Sequence, residues 1–374
     1  MEGNHTIVGK GTNGCNLEKN RIIYLDIART FAIIFVVLCH SVELIYKMNL
    51  QGWISISLNA RIFKTIVFTL GRIGVPLFLF LTGYLLLNRK YDNDADIKKF
   101  YKKNLLPLIV TTEVWILIYN IFLSLYNNKP FDTYSLIKEM LFLQKVPLMN
   151  MWYMPMIIGI YIAIPYVSKV VHTFSIKTLK IPIILVFVCI FIMPTLNLIL
   201  KTFKLDQYNC ILDMNFLGGC YGLYIVGGYL IREKIIKKIK TKLLVFTSIL
   251  FFIISCCIQI FEFEHKIEYN IWCNSPFIFI CTFSLFELFT RINTDNFNKW
   301  IVKIFTYISK ISLSIFFMHI IVEMIFSKYI KMIKISNPAK VLILFIVSLC
   351  ISIIVTWLLS KIRLIRKRVL FIKD

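Results

Sequence analysis

Apolar residues along this chain gather into ten blocks, separated by short segments rich in Lys, Arg, Asn and Asp. The blocks lie at about 22–46, 66–87, 104–126, 151–168, 181–200, 215–231, 243–261, 271–290, 311–326 and 341–360. Most are close to the ~20 residues that a helix needs to cross a hydrocarbon core about 30 Å thick. They do not alternate apolar with polar residues, as barrel strands do; IILVFVCIFIMPTLNLIL (183–200) is apolar almost throughout. The pattern therefore predicts an all-α, polytopic transmembrane helical bundle of about ten transmembrane helices. Residues 1–21 and 361–374 are expected as cytoplasmic tails, the latter basic, on one membrane domain over 22–360. No internal repeat stands out, and the first block continues without a small-residue cleavage site, so no removable signal is expected.

Composition supports this reading. Hydrophobic residues make up 58% of the 374, charged residues 17%, and the mean hydropathy is +0.74. Soluble domains hold roughly 45–50% and 25%. A net charge of +23 would point to nucleic acid in a soluble protein. In a membrane protein it reflects loops that collect Lys and Arg on the cytoplasmic side, and no nucleic-acid partner is expected. With the N-terminus inside, cytoplasmic segments hold 28 Lys and Arg against 13 outside. That asymmetry predicts both ends in the cytoplasm. The basic runs KKFYKK (98–103) and REKIIKKIKTK (232–242) fit the same rule, with nucleotide phosphates as the other candidate partner. Most of the ten cysteines lie inside apolar blocks with no metal-like spacing, so neither a disulfide framework nor a metal site is expected. The Ile- and Lys-rich composition resembles low-GC bacterial coding sequence.

The charge count leaves two arginines inside the membrane, Arg29 and Arg72. Intramembrane charge is costly and marks function by default. Arg29 and His40 are eleven residues apart, so they project from one helix face, about 16 Å apart along the axis. Asp26 and Glu43 lie near the same direction, giving block one a polar stripe that lipid cannot face. Arg72 falls at a depth similar to His40, within GRIGVPLFLFLTGY (71–84). Block nine adds His319 and Glu323, block three adds Glu113, and Trp152 and Tyr153 open block four. Each has a plainer reading. Arg29 and Arg72 could be structural partners of Asp26 and Glu113, Glu323 could simply satisfy His319, and Trp152 and Tyr153 could be interfacial belt residues.

The motifs carry a resemblance. RIIYLDIARTFAIIFVVLCHS (21–41), with an Arg, ten intervening residues and a His, resembles the first helix of the acyltransferase 3 family of membrane O-acyltransferases. GRIGVPLFLFLTGYLLL (71–87), NMWYMPMIIGIYIAIPYVS (150–168), CYGLYIVGGYLIREK (220–234) and SLSIFFMHIIVEMIF (312–326) are similar to its later segments, in order. The closest subgroup lacks an appended soluble domain. Asn150 and Phe316 depart from the His and Tyr common in the family. The resemblance implies an acyl-CoA co-substrate, usually acetyl-CoA, no bound cofactor, and a hydroxyl acceptor on a surface polysaccharide or lipid-linked glycan. It also implies a multi-pass protein of a bacterial cell membrane. On that reading His40 is the general base or acyl carrier, Glu43 its orienting partner, and Arg72 an oxyanion stabiliser. Arg29 holds the donor, and Trp152, Tyr153, His319, Glu323 and Glu113 are acceptor or supporting candidates. A transporter or flippase of a glycan or lipid-linked intermediate is the rival, since it too places Arg and His inside a bundle.

Overall fold

The computed structural model describes residues 21–208, 210–212, 218–267 and 272–372. Among them every regular element is a helix. Ten helices build the bundle: α1 (Ile23–Ile45), α2 (Leu58–Leu86), α3 (Asp94–Asn127), α4 (Tyr153–Thr173), α5 (Ile176–Thr202), α6 (Gly219–Arg232), α7 (Thr241–Glu264), α8 (Pro276–Thr290), α9 (Lys299–Met332) and α10 (Asn337–Leu359). Eight are long and apolar enough to cross a membrane, whereas α6 and α8 have only 14 and 15 residues. The protein is a polytopic helical membrane bundle.

Several boundaries differ from the apolar blocks. Helix α2 begins at Leu58, two turns before the apolar block, because its first turns carry Arg61 and Lys64. Lys64 is nevertheless 1% exposed. Its ammonium donates to the Lys47 carbonyl at 3.0 Å and lies over the Trp53 and Phe263 rings, so its charge is partnered within the protein. Helix α9 runs 34 residues, far past the block at 311–326, because its first turns carry Lys299, Lys303 and Lys310. Two π-turns, at Tyr101–Leu105 and Val188–Ile192, fall just before Pro107 and Pro194. A proline removes a donor and crowds the preceding turn, and a wider turn there relieves both effects.

Helix α1 sits at the centre, packed against α2, α8, α9 and α10. Its contacts with α9 rise together along both chains. Asp26 meets Ser309, His40 meets His319, and Ser41 meets Glu323, so the two helices run parallel. Seven helices separate them, and parallel packing requires that an odd number cross. Helices α6 and α8 therefore enter the count of crossings together or not at all.

Both short helices are held deep in the bundle. Glycine permits the α2–α6 crossing: a Cβ at Gly83 would stand 1.8 Å from the Ile225 carbonyl oxygen, and one at Gly228 2.1 Å from that of Phe80. Phe277, at the start of α8, packs on Phe251 at 6.1 Å. Helix α7 continues more than three turns beyond Phe251 to Glu264. Trp272, just ahead of α8, lies against Arg72 in the middle of α2. Helix α8 thus starts at about the level of Arg72, several turns below the end of α7.

Beyond α10 the chain does not leave the bundle. A short helix, Arg363–Arg368, turns it back, and Leu370 and Ile372 are buried.

Candidate active site

Two cavities open on opposite parts of α1. The first, about 610 Å³, is lined near the start of α1 by Arg21, Asp26 and Arg29, with Arg89, Tyr153 and Lys310 from other elements. The second, about 810 Å³, is lined near its end by His40 and Glu43, with Arg72, Trp152, Trp272 and Lys331. The polar stripe read from the sequence is real but divided, with Arg29 serving one cavity and His40 the other.

At the His40 end the side chains form a chain of contacts. Glu43 sits one turn beyond His40 and takes a hydrogen bond from its Nδ1 at 2.6 Å. The other Glu43 oxygen accepts from Arg72 Nη2 at 2.9 Å. A carboxylate only accepts, so the shared proton belongs to Nδ1 and the Nε2 lone pair is free for chemistry. Arg72 is itself clamped, its guanidinium 4.4 Å from the Phe68 ring centre and 4.1 Å from that of Trp272. Its Nε is a buried donor with no partner among the described residues. Trp152 continues the aromatic wall, packing on Trp272 at 5.5 Å and Tyr221 at 5.9 Å.

Behind His40 lies His319, its ring centre 5.4 Å away. His319 is fully buried and its Nδ1 donates to the Ile315 carbonyl at 2.9 Å, which leaves Nε2 as a lone pair without a partner among the described residues. Glu323 does not satisfy it. One Glu323 oxygen accepts from Ser41 Oγ at 2.6 Å, and the other has no partner among the described residues. His319 packs in turn on Phe316 at 6.0 Å, and Phe316 on Tyr153 at 5.3 Å. Phe316 and Tyr153 line the first cavity. A wall one or two side chains thick, Tyr153–Phe316–His319, therefore divides the two cavities. Asn150 helps hold it, donating from Nδ2 to the Phe316 carbonyl and the Tyr119 hydroxyl, both at 3.2 Å.

At the Arg29 end the structural pairings expected from the sequence do not form. Asp26 is engaged by Arg21 and by Ser309, the latter at 2.6 Å. Among the described residues Arg29 makes no hydrogen bond or ion pair. It faces the cavity beside Arg21, Arg89 and Lys310. Glu113 is half-buried on α3, pairs with neither arginine and lines neither cavity. The structure separates it from the other candidates.

Sequence reasoning placed Arg72 near the depth of His40 and Glu43, and kept Trp152 and Tyr153 as one pair. The structure splits that pair, Trp152 lining the second cavity with His40 and Tyr153 the first with Arg29. Sequence reasoning missed Trp272, Tyr221 and Phe68 around Arg72, and Arg21, Arg89 and Lys310 around Arg29. The basic residues carried a signal that positive-inside topology absorbed. A family model described as an acyltransferase domain matches residues 22–357, nearly the whole chain. No curated protein and no solved structure matches it.

Proposed function

The chain belongs to the acyltransferase 3 family and is a membrane acyltransferase, and from that premise we propose that it moves an acyl group from acyl-CoA to a glycan hydroxyl. The observation that carries this reading is the division of α1 between two cavities. One offers an Arg29 with no ion pair among the described residues, set among further cations, and the other a His40 with its ring fixed. Acetyl-CoA is the favoured donor, its phosphates held by Arg29, Arg21, Arg89 and Lys310. The extended pantetheine arm then runs along α1. It covers the roughly 16 Å to His40, and the thioester reaches that ring when the Tyr153, Phe316 and His319 side chains of the dividing wall part. The acceptor is a hydroxyl of a surface polysaccharide or lipid-linked glycan, lying in the second cavity against Trp152 and Trp272.

His40 Nε2 takes the proton from the acceptor hydroxyl as its oxygen attacks the thioester carbonyl. Glu43 keeps the Nδ1 proton in place throughout. The oxyanion that forms lies near the Arg72 guanidinium, whose buried Nε has no partner among the described residues and whose fixed charge stabilises it. The carbon–sulfur bond then breaks, and the leaving thiolate recovers the proton from Nε2. By the charge count, the Arg29 end faces the cytoplasm of a bacterial cell, where acyl-CoA is made, and the His40 end faces outward.

Purified protein in lipid nanodiscs, given acetyl-labelled acetyl-CoA and extracted glycan, should release CoA and label the glycan. Mass spectrometry of surface glycans with and without the gene would name the acceptor. A His40→Ala protein that folds normally and keeps full transfer would overturn the proposal. So would glycan movement across the bilayer without any CoA release.

A further inference from the structure

The segment after α10 is built into the first cavity. Three successive carbonyls of this segment accept hydrogen bonds from three buried side chains. Thr111 Oγ1 donates to Arg368 at 3.0 Å, Trp115 Nε1 to Val369 at 2.8 Å, and Ser314 Oγ to Leu370 at 2.7 Å. The three donors are each at most 1% exposed. Thr111 and Trp115 are one turn apart on α3 and Ser314 lies on α9, so the strand of backbone is pinned between two helices. Leu370 and Ile372 are buried, as docking requires. Phe371, between them, is turned the other way and lines the cavity with Arg29, Leu313 and Phe316.

That orientation has a cost. Phe371 has φ of +54°, a left-handed conformation that bulky residues avoid and that persists only where surroundings enforce it. Docking alone would be served by the two buried aliphatic side chains. The left-handed turn returns the Ile372 amide to the Arg366 carbonyl at 2.9 Å and sets an aromatic ring in the cavity wall. Its depth is set by Ser314, which lies between Ser309, the partner of Asp26, and His319, the neighbour of His40. The ring therefore stands part-way between the Asp26 level and the Phe316 wall, where the neighbouring lining residues Phe78 and Leu313 are also apolar.

Resting on the donor reading above, we propose that Phe371 is a positioning residue for the pantetheine arm of acyl-CoA, presented by a strap of residues 363–372. The cations of the cavity hold the phosphates, and the Phe371 ring packs on the arm and directs the thioester toward His40.

The test measures equilibrium binding of acetyl-CoA and of adenosine 3′,5′-bisphosphate, which lacks the arm, to the full chain in nanodiscs. Phe371→Ala should weaken acetyl-CoA binding by about five- to tenfold and leave the bisphosphate unchanged, and Phe371→Leu should recover most of the loss. Arg29→Gln should weaken both ligands. Should Phe371→Ala weaken both ligands equally, or neither, the proposal is overturned. A melting temperature held at the wild-type value separates the expected result from unfolding. Leu370→Ala, which loosens the strap, should reproduce the selective loss; unchanged acetyl-CoA binding in that variant would also sink the idea. Wild-type protein that binds neither ligand overturns the donor reading, and this inference with it.

Discussion

The two cavities each hold an intramembrane arginine, and they treat it in opposite ways. Arg72 is spent inside the protein, ion-paired to Glu43 and clamped between Phe68 and Trp272. Arg29 makes no hydrogen bond or ion pair among the described residues, while its nearest acid, Asp26, is occupied by Arg21 and Ser309. A charge retained at this depth must be offset by something. For Arg72 the offset is internal, so its position is fixed before any ligand arrives. For Arg29 the offset is left to neighbouring solvent or to an anion entering the cavity. The first arrangement suits a site that must be rigid for chemistry. The second suits a site that binds and releases a charged substrate.

The largest effects should come from the rigid end. His40→Ala should lower kcat for CoA release by about 10²–10⁴-fold, with normal abundance in the membrane and unchanged acetyl-CoA binding. Loss of that binding would show that the two cavities do not work separately. Glu43→Gln is the sharper variant. An amide can donate to Nδ1, which places the ring proton on Nε2 and removes the base. A fall in kcat of about 10²-fold is expected, again without change in donor affinity. A Glu43→Gln enzyme with wild-type kcat would remove the orienting role from Glu43.

This division was only partly legible in the sequence. The i,i+3 spacing of His40 and Glu43 and the eleven-residue step from Arg29 are helical arithmetic, so both survived folding. The Arg72–Glu43 pair spans 29 positions and depends on how α1 and α2 cross. Periodicity along one helix carries no information about that crossing. The spans of the long helices followed from hydropathy, but α2 began earlier because Arg61 and Lys64 find partners within the protein, in Glu264, Trp53 and the Lys47 carbonyl. The late start of α8 was hidden because the residues before it are apolar enough to extend the block at 271–290. Pro276, a residue favoured in the first helical turn, was the available sign that the helix starts later. The inward return of residues 363–372 had no local signal beyond the apolar pattern of VLFI (369–372), because positive charge there already had an explanation.

At the adaptable end, Arg29→Gln should raise KM for acetyl-CoA by about tenfold, the loss of a charge-assisted contact to phosphate, and leave kcat within about twofold. Arg29→Lys keeps the charge and should recover part of the loss. A change in kcat without a change in KM would show that Arg29, like Arg72, belongs to the chemistry and not to donor capture.

The smallest effect, on KM for the glycan, tests whether the aromatic clamp on Arg72 also meets the acceptor. Phe68 and Trp272 pack on the same guanidinium, yet their settings differ. Phe68 is 1% exposed, whereas Trp272 is half-buried and lines the second cavity beside Trp152. Phe68→Leu therefore reports only the positioning of Arg72. A cation–π contact of this kind is worth about 0.5–2 kcal/mol, so kcat should fall by about two- to thirtyfold with KM for the glycan unchanged. Trp272→Leu loses the same kind of contact and also a flat apolar face on which a sugar ring can pack, so KM for the glycan should rise as well, by about three- to fivefold. Measured side by side, the two variants separate holding the arginine from holding the substrate. An equal KM for both would confine Trp272 to the clamp and leave Trp152 as the acceptor's wall.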